Sequence, residues 1–202
     1  MERFADTPER PVVVAVVGSP RPAGNSSHLV DVALDELAHR GLAVEKIVLS
    51  EHRILPCEGH EECEDLAACA LNDDAGPLLE RLYAADGLIL ATPVYYENIS
   101  GQMKVFIDRN CFNNYHDIWL RARAVGLIAV AESTGLDDAI DSLRRFVALA
   151  CDKKLKPLAV TGLAYHEGDA AQNAPLVAAV RDMAQAIAAA LRPDVARAQS
   201  RV

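Results

Sequence analysis

Three groups of residues in this 202-residue chain have types and spacings that could support chemistry. The first is the loop Gly18–Leu29, where small and hydroxyl side chains surround Arg21 between an apolar run and an amphipathic run. The second is Pro93–Tyr96, which sets two adjacent tyrosines after another apolar run. The third is Cys57–Cys69, which holds three thiols and His60. These groups suggest an anion site, an aromatic platform and a metal or redox site.

The first loop has the properties of a phosphate-binding loop. It connects a predicted strand, Pro11–Val17, to a predicted helix, and a helix start presents unpaired N–H groups and a partial positive charge. Arg21 adds a permanent cation, and an ordinary helix cap would use the same polar residues. The candidate phosphate-binding residues are Ser19, Arg21, Asn25, Ser26 and Ser27.

Two better-known phosphate loops are excluded by spacing. A P-loop needs four residues between its glycines and then a lysine, whereas five residues separate Gly18 from Gly24, and Asn25 follows. The Rossmann fingerprint requires glycine at two positions that Pro20 and Ala23 occupy here.

Composition limits the class of protein. The length suits one domain with a full core, and the formal net charge of −9 argues against nucleic acid as the main partner. No apolar run looks long enough to span a bilayer, and Met1–Pro8 lacks the apolar centre of a signal peptide. Five cysteines, three of them bunched, do not suggest a secreted disulfide scaffold. We therefore expect a cytoplasmic protein.

Apolar periodicity predicts five strands that alternate with helices, in a single domain over residues 1–202 with short tails at 1–10 and 193–202. Such alternation implies parallel β-α-β units in a doubly wound three-layer sandwich. The predicted strands are Pro11–Val17, Ala43–Leu49, Asp86–Ala91, Ala124–Ala131 and Leu155–Leu163. The predicted helices are Ser26–Arg40, a stripe around Leu78–Tyr83, Gly101–Arg109, Leu136–Cys151 and Ala174–Leu191, with Gly41 ending the first of them.

Ligands of this architecture bind beyond the carboxyl ends of the strands, which points to three polar loops. These loops are Ser19–Ser27, Pro93–Ser100 and Glu132–Gly135. Tyrosine is flat and can stack on a ring while it donates a hydrogen bond, so Tyr95 and Tyr96 beside a phosphate loop indicate a mononucleotide. The alternative is that both tyrosines cover the sheet edge or fill a subunit interface.

The two motifs together resemble the NADPH-dependent FMN reductase family, and within it the iron–sulfur flavoprotein branch. They are Gly18–Ser26, read as Gly-Ser-Pro-Arg-Pro-x-Gly-Asn-Ser, and Thr92–Arg109, which opens Thr-Pro-Val-Tyr-Tyr-Glu-Asn. The similarity runs from about Val12 to Gly135. It implies a flavodoxin-like fold with sheet order 2-1-3-4-5, bound FMN, and a homodimer or homotetramer with the flavin near a subunit boundary.

The resemblance also implies roles for individual residues. The five polar residues of the first loop would surround the phosphate of FMN. The isoalloxazine would be lined by Pro93, Val94, Tyr95, Tyr96 and Asn98. A shorter match, Ser133, Thr134 and Gly135, would close the other side of the ring.

The cysteine segment matches the iron–sulfur flavoprotein pattern with one departure. That branch often has Cys-x-x-Cys-x-x-Cys and a fourth cysteine before Asp-Asp, whereas here His60 replaces the second cysteine. Zinc readily accepts three thiolates and one imidazole, and iron–sulfur clusters usually require thiolates throughout. The sequence therefore offers Cys57, His60, Cys63 and Cys69 as a metal site, disfavours a stable [4Fe–4S] cluster, and leaves open an incidental acidic loop.

The remaining candidate residues are predicted to have no functional role. His166 is predicted to be a solvated loop histidine, Glu51 a surface charge, and Cys111 and Cys151 core residues. No Ser-His-Asp or paired-carboxylate arrangement is visible.

The leading functional prediction is an enzyme that passes electrons from NADPH or NADH through FMN to a flavin, quinone or other small acceptor. The alternatives are an FMN-containing electron carrier without dinucleotide turnover, and a metal-binding or redox-sensing module centred on Cys57–Cys69.

Overall fold

The computed structural model describes residues 10–151 and 154–192. The tails predicted at 1–10 and 193–202 therefore lie, except for Arg10, outside the described residues, and the extent of the single domain stays a prediction. Within these ranges, strands and helices alternate as the apolar periodicity predicts.

Five parallel strands form the central sheet. They are β1 (Val12–Val17), β2 (Ala43–Val48), β3 (Gly87–Tyr95), β5 (Ala124–Ala131) and β6 (Leu158–Leu163). Their order is β2-β1-β3-β5-β6, which is 2-1-3-4-5 when the parallel strands alone are counted. A two-residue strand, β4 (Asn98–Ile99), pairs antiparallel with the end of β3 and brings the sheet to six strands. The predicted order is confirmed, with this short addition.

Helices cover both faces of the sheet, as a three-layer sandwich requires. The helices are α1 (Asn25–His39), α2 (Ala75–Ala84), α3 (Gly101–Asp108), α4 (Cys111–Tyr115), α5 (Leu136–Ala150), α6 (Asp169–Gln172) and α7 (Ala174–Leu191). Residues of α2, α3 and α5 form one hydrophobic core with the sheet, and residues of α1 and α7 form the other. Alternate residues of β1 supply both cores, Val14 to one and Val13 to the other.

Two strand boundaries differ from the prediction by more than one residue, each for an identifiable reason. β3 continues four residues beyond Ala91, because Thr92 and Pro93 still pair with β5 and the strand then turns into β4. β6 begins at Leu158 rather than Leu155, directly after Pro157, which has no N–H to donate to a ladder. Gly41 has a φ of 87° and follows the cap of α1, as predicted.

The prediction that no apolar run is long enough to span a bilayer is wrong for α7. Among the described residues, it has the length and apolar composition that a membrane span would need. Its inner face, however, packs on the sheet through Val180, Ala184, Ile187 and Leu191. Arg181 and Asp182 interrupt its apolar sequence. These contacts are those of a core helix of the sandwich.

Candidate functional site

The carboxyl ends of β1, β3 and β5 enclose a cavity of about 500 Å³. This volume lies in the range of small-molecule sites. All three predicted polar loops contribute to its wall, because parallel strands release their loops at the same edge of a sheet. The lining residues predicted from sequence are Ser19, Arg21, Asn25, Ser26, Pro93, Val94, Tyr95, Tyr96, Ser133 and Thr134.

One end of the cavity is suited to an anion. Helix α1 starts here behind Gly24, which has no side chain with which to cap the first-turn N–H groups. Arg21 is exposed beside them, and among the described residues its guanidinium has no hydrogen-bond or ion-pair partner. Ser27 is buried in this turn outside the cavity lining, and its Oγ has no partner in the described part of the chain. The uncapped amides and the free cation fit a phosphate group.

The polar residues of the first loop divide into two kinds. Ser19 Oγ accepts from the N–H of Arg21 at 3.1 Å and so shapes the loop. Asn25 ties the loop to the segment after β6: its Oδ1 accepts from the N–H groups of Gly168 and Ala170, and its Nδ2 donates to the carbonyl of His166. Asn25 lines the cavity, but its amide mainly holds two loops together.

Another part of the cavity wall is a tight hairpin that connects β3 and β4. Tyr95 pairs with Asn98, so Tyr96 and Glu97 are the two turn residues, with φ of 53° and 66°. Two successive positive φ angles define a type I′ turn, which normally uses Asn-Gly. The turn leaves Tyr96 fully exposed and Tyr95 partly exposed. The backbone is therefore strained at the position that presents both rings to the cavity.

The loop after β5 closes against this hairpin. Thr134 Oγ1 donates to Glu97 Oε1 at 2.6 Å. Gly135 has a φ of 82°, and a Cβ placed there would lie 2.7 Å from the Cα of Glu97. Gly135 thus permits close approach and does not itself line the cavity.

Several sequence-based assignments have other places in the structure. Asn98 faces a neighbouring groove, and its Oδ1 accepts from Ser142 Oγ at 2.8 Å. His166 and Glu51 are exposed and outside the cavity lining, as predicted.

Cys151 is buried as predicted, but Cys111 is exposed, so its assignment to the core is wrong. It stands at the first position of α4, a short helix whose own residues are all at least partly exposed.

Sequence reasoning did not single out Glu97, Glu132 and Ala164, which also line the cavity. It also missed Ser100, which caps α3 by accepting from the N–H of Met103 and donates its own Oγ–H to the carbonyl of Gly18. A serine directly before an amphipathic run is a helix-start signal, but its tie to the first loop depends on the sheet.

A second, smaller cavity of about 170 Å³ lies beside the cysteine segment, which follows β2. The thiols of Cys57, Cys63 and Cys69 and the imidazole of His60 all border it, as does Cys111. Burial raises the pKa of the Cys63 thiol, and the nearby thiols of Cys69 and Cys57 raise it further. Burial likewise raises the pKa of Cys111, with Cys57 adding to the effect. Among the described residues, no three metal-binding side chains converge on one point suited to a single ion.

Buried charges fix this segment to the rest of the fold. Arg109, at the end of α3, forms an ion pair with Asp73, and both side chains are almost completely buried. Asp73 also accepts from the N–H groups of Leu55 and Ala75, at 2.7 and 3.0 Å. Burial alone would raise the pKa of Asp73, but the bond from Arg109 and these two N–H bonds lower it below its usual value. The second nitrogen of Arg109 donates to Cys69 Sγ at 3.3 Å.

Comparison with known proteins identifies the family. The model of the NADPH-dependent FMN reductase family matches residues 11–152. The chain belongs to this family. Membership places the protein among flavin-dependent oxidoreductases and confirms the resemblance seen in the two sequence motifs.

Relatives within the family share the iron–sulfur flavoprotein name. One from Methanocaldococcus jannaschii is 35% identical over 136 residues, which are 66% of this chain and 70% of that protein. Another, from Archaeoglobus fulgidus, is 44% identical over 96 residues, 48% of this chain and 44% of that protein. The solved structure of RosB, with bound 8-demethyl-8-formylriboflavin-5′-phosphate, superposes with a TM-score of 0.71 at 16% identity over 94% of this chain and 86% of RosB. At that identity the likeness shows the fold alone.

Proposed function

We propose that this FMN reductase family member binds FMN in the 500 Å³ cavity and transfers electrons from NADPH or NADH to a small acceptor such as a flavin or quinone. The observation that carries the proposal is that two features line one cavity. The start of α1 with Arg21 suits the phosphate, and the Tyr95–Tyr96 hairpin suits a flat ring. When bound, FMN supplies hydride acceptance and electron release.

The protein's own residues then have positioning roles. Arg21 and the first turn of α1 would hold the phosphate end and so set the depth of the ring in the cavity. Pro93 and Val94 would pack on the ring, and the strained turn would keep Tyr96 beside it. Thr134 and Gly135 hold this turn from the other side. No proton-transfer pair is needed, since the cofactor carries the chemistry.

The free thiols and the net charge support proposals for the protein's location and partners. Free thiols at Cys57, Cys63, Cys69 and Cys111 suit a reducing compartment such as the cytoplasm. The net charge of −9 disfavours nucleic acid and suits a small-molecule or basic protein partner.

Flavin loading and reduction test the proposal directly. The purified protein should show the visible absorbance of bound FMN after incubation with it, and anaerobic NADPH should bleach that absorbance. Addition of a quinone should restore it and sustain NADPH consumption. A protein that does not retain FMN would contradict the site, and bound FMN that neither NADPH nor NADH reduces would contradict the reductase assignment.

A second function, an electron carrier in which FMN would exchange electrons with a metal cluster held at the cysteine cavity, is favoured by the position of α3. Its cap Ser100 bonds to Gly18 in the first loop, and Arg109 at its other end bonds to Cys69. Nine residue steps along a helix span about 13 Å, so one short helix separates the two cavities. Steady NADPH oxidation with a quinone favours the reductase; reduction by a protein or chemical donor without dinucleotide turnover favours the carrier.

A further inference from the structure

We propose that Cys111 completes a four-thiolate site with Cys57, Cys63 and Cys69, and that this site holds an iron–sulfur cluster. The four thiols come from two separate elements and border one cavity. Cys111 lies beyond the cysteine segment in sequence, and it supplies the thiolate that the segment lacks where His60 stands. The inference does not depend on FMN binding.

Two contacts, one from His116 and one from Arg109, hold α3 and α4 against the cysteine segment. His116 Nε2 lies 3.0 Å from the carbonyl of Leu66, which ends the segment's short helix, and its Nδ1 lies 2.8 Å from the carbonyl of Phe112. The rings of Phe112 and His116 stack with their centroids 4.1 Å apart. Arg109, two residues before Cys111, donates to Cys69 Sγ. Cys111 is thereby positioned at the cavity by the packing of α3 and α4.

The donor set fits an iron–sulfur cluster better than a single ion. Four thiolates are the usual ligands of [4Fe–4S] clusters, whereas one imidazole with three thiolates is a zinc set. A single zinc ion would need its ligands to converge on one point. The described side chains border the cavity without such convergence. A cubane occupies more volume than one ion and takes its thiolates from around its corners, so it matches a lined cavity.

The charges around the cavity are compatible with an anionic centre. The buried guanidinium of Arg109 faces the thiols and already donates to one sulfur. The segment also carries five carboxylates on exposed residues, of which Glu58 and Glu61 border the cavity; the others are Glu62, Glu64 and Asp65. Water screens their charges in part, whereas Arg109 is buried. His60 Nε2 lies 3.3 Å from Glu58 Oε2, so its imidazole is partly engaged outside the thiol set.

Metal content in matched variants tests the proposal. The flavin-free full chain is reconstituted without air with ferrous iron and sulfide, and iron, sulfide, zinc and visible absorbance are measured for the parent, Cys111→Ala and His60→Ala. We expect about four irons and four sulfides per chain in the parent. Cys111→Ala should lose most of both, and His60→Ala should retain them. Circular dichroism and the urea midpoint check that each variant is folded.

A second readout avoids mutation. Because Cys111 is exposed, iodoacetamide should alkylate it in the metal-free chain and not in the reconstituted chain, as mass spectrometry would show. Full iron in Cys111→Ala with loss in His60→Ala would overturn the assignment. Zinc near one equivalent without sulfide, no bound metal, or equal alkylation of Cys111 in both states would also overturn it.

Discussion

Arg21 brings a permanent positive charge to the part of the 500 Å³ cavity that we assign to the phosphate. In the described part of the chain its guanidinium has no hydrogen-bond or ion-pair partner. A charge-assisted contact contributes about 1.5–3 kcal/mol, so Arg21→Ala should weaken FMN binding by roughly ten- to a hundredfold. Fluorescence titration of FMN measures this change. Arg40→Ala, at the other end of α1, is the matched control and should leave FMN affinity unchanged. Equal affinity in Arg21→Ala and the parent would contradict the phosphate assignment.

Asp73 shows how one buried carboxylate can fix a segment at three points. It pairs with Arg109 and accepts from two backbone N–H groups, so Asp73→Asn leaves a buried guanidinium without its counter-charge. Removal of one partner from a buried pair costs about 3–5 kcal/mol in the free energy of unfolding. Asp74→Asn is the control: Asp74 accepts from the N–H of Arg53, but its side chain is half exposed. Urea denaturation of both variants measures the difference.

The same residue gives a pH dependence whose sign is fixed. The pKa of Asp73 is lower in the folded chain than its usual 3.8, so the charged form is favoured by folding. Its stabilisation is complete above the unfolded pKa and is lost as pH falls through the folded pKa. The gap in unfolding free energy between the parent and Asp73→Asn should be constant above about pH 5 and should shrink below about pH 4. A gap that grows on acidification would contradict this account.

At the scale of the element, the β3–β4 hairpin carries a cost in stability. Two turn residues with positive φ and bulky side chains should cost about 1–3 kcal/mol. Replacement of Tyr96-Glu97 by Asn-Gly should therefore raise the melting temperature. It should also weaken FMN binding by about two- to tenfold, because a stacked aromatic ring is lost. A higher melting temperature together with weaker FMN binding would indicate that the strained turn is retained because it serves ligand binding.

The matched control for the hairpin is Asp117→Gly. It should relieve backbone strain at a residue with a φ of 52° that is not part of the cavity lining. It should leave FMN affinity unchanged. If Asn-Gly at positions 96 and 97 preserves full FMN affinity, the two side chains do not contact the flavin, and their role would be at an interface.

At the scale of the whole molecule, an apolar groove of about 570 Å³ runs along α3, α4 and α5. Ile118, Trp119 and Leu149 are exposed at its edge. Exposed apolar surface of this kind is typical of association sites, and we retain the prediction of a homodimer or homotetramer. Leu149→Glu should shift the mass measured by light scattering at micromolar concentration toward that of the monomer.

Leu163→Glu is the control for the groove, since Leu163 is also exposed but lies on β6, away from it. It should leave the oligomer intact. A parent that is monomeric at micromolar concentration would contradict the prediction, and dissociation by Leu163→Glu alone would place the interface at the β6 edge.

Most elements and the first two loops were predictable from the sequence, because both are encoded locally. Apolar periodicity and the small residues after β1 indicate where that strand ends, and parallel strands must release their loops at one edge of the sheet. The hairpin proposed to contact the flavin ring was visible as Tyr95 and Tyr96, although its turn geometry was not. The strain at Tyr96 and Glu97 depends on the pairing of β4 with β3, which two residues of sequence do not reveal.

Which residues meet across elements could be known only from the folded chain. Asn25 was predicted to face a phosphate, but its amide holds the loop after β6, more than 140 positions away. Cys111 was predicted to lie in the core because it sits on an apolar face, yet the turn between α3 and α4 brings it to the cysteine cavity. Local patterns record spacing along the chain, whereas a binding site is made of side chains that the sheet order brings together.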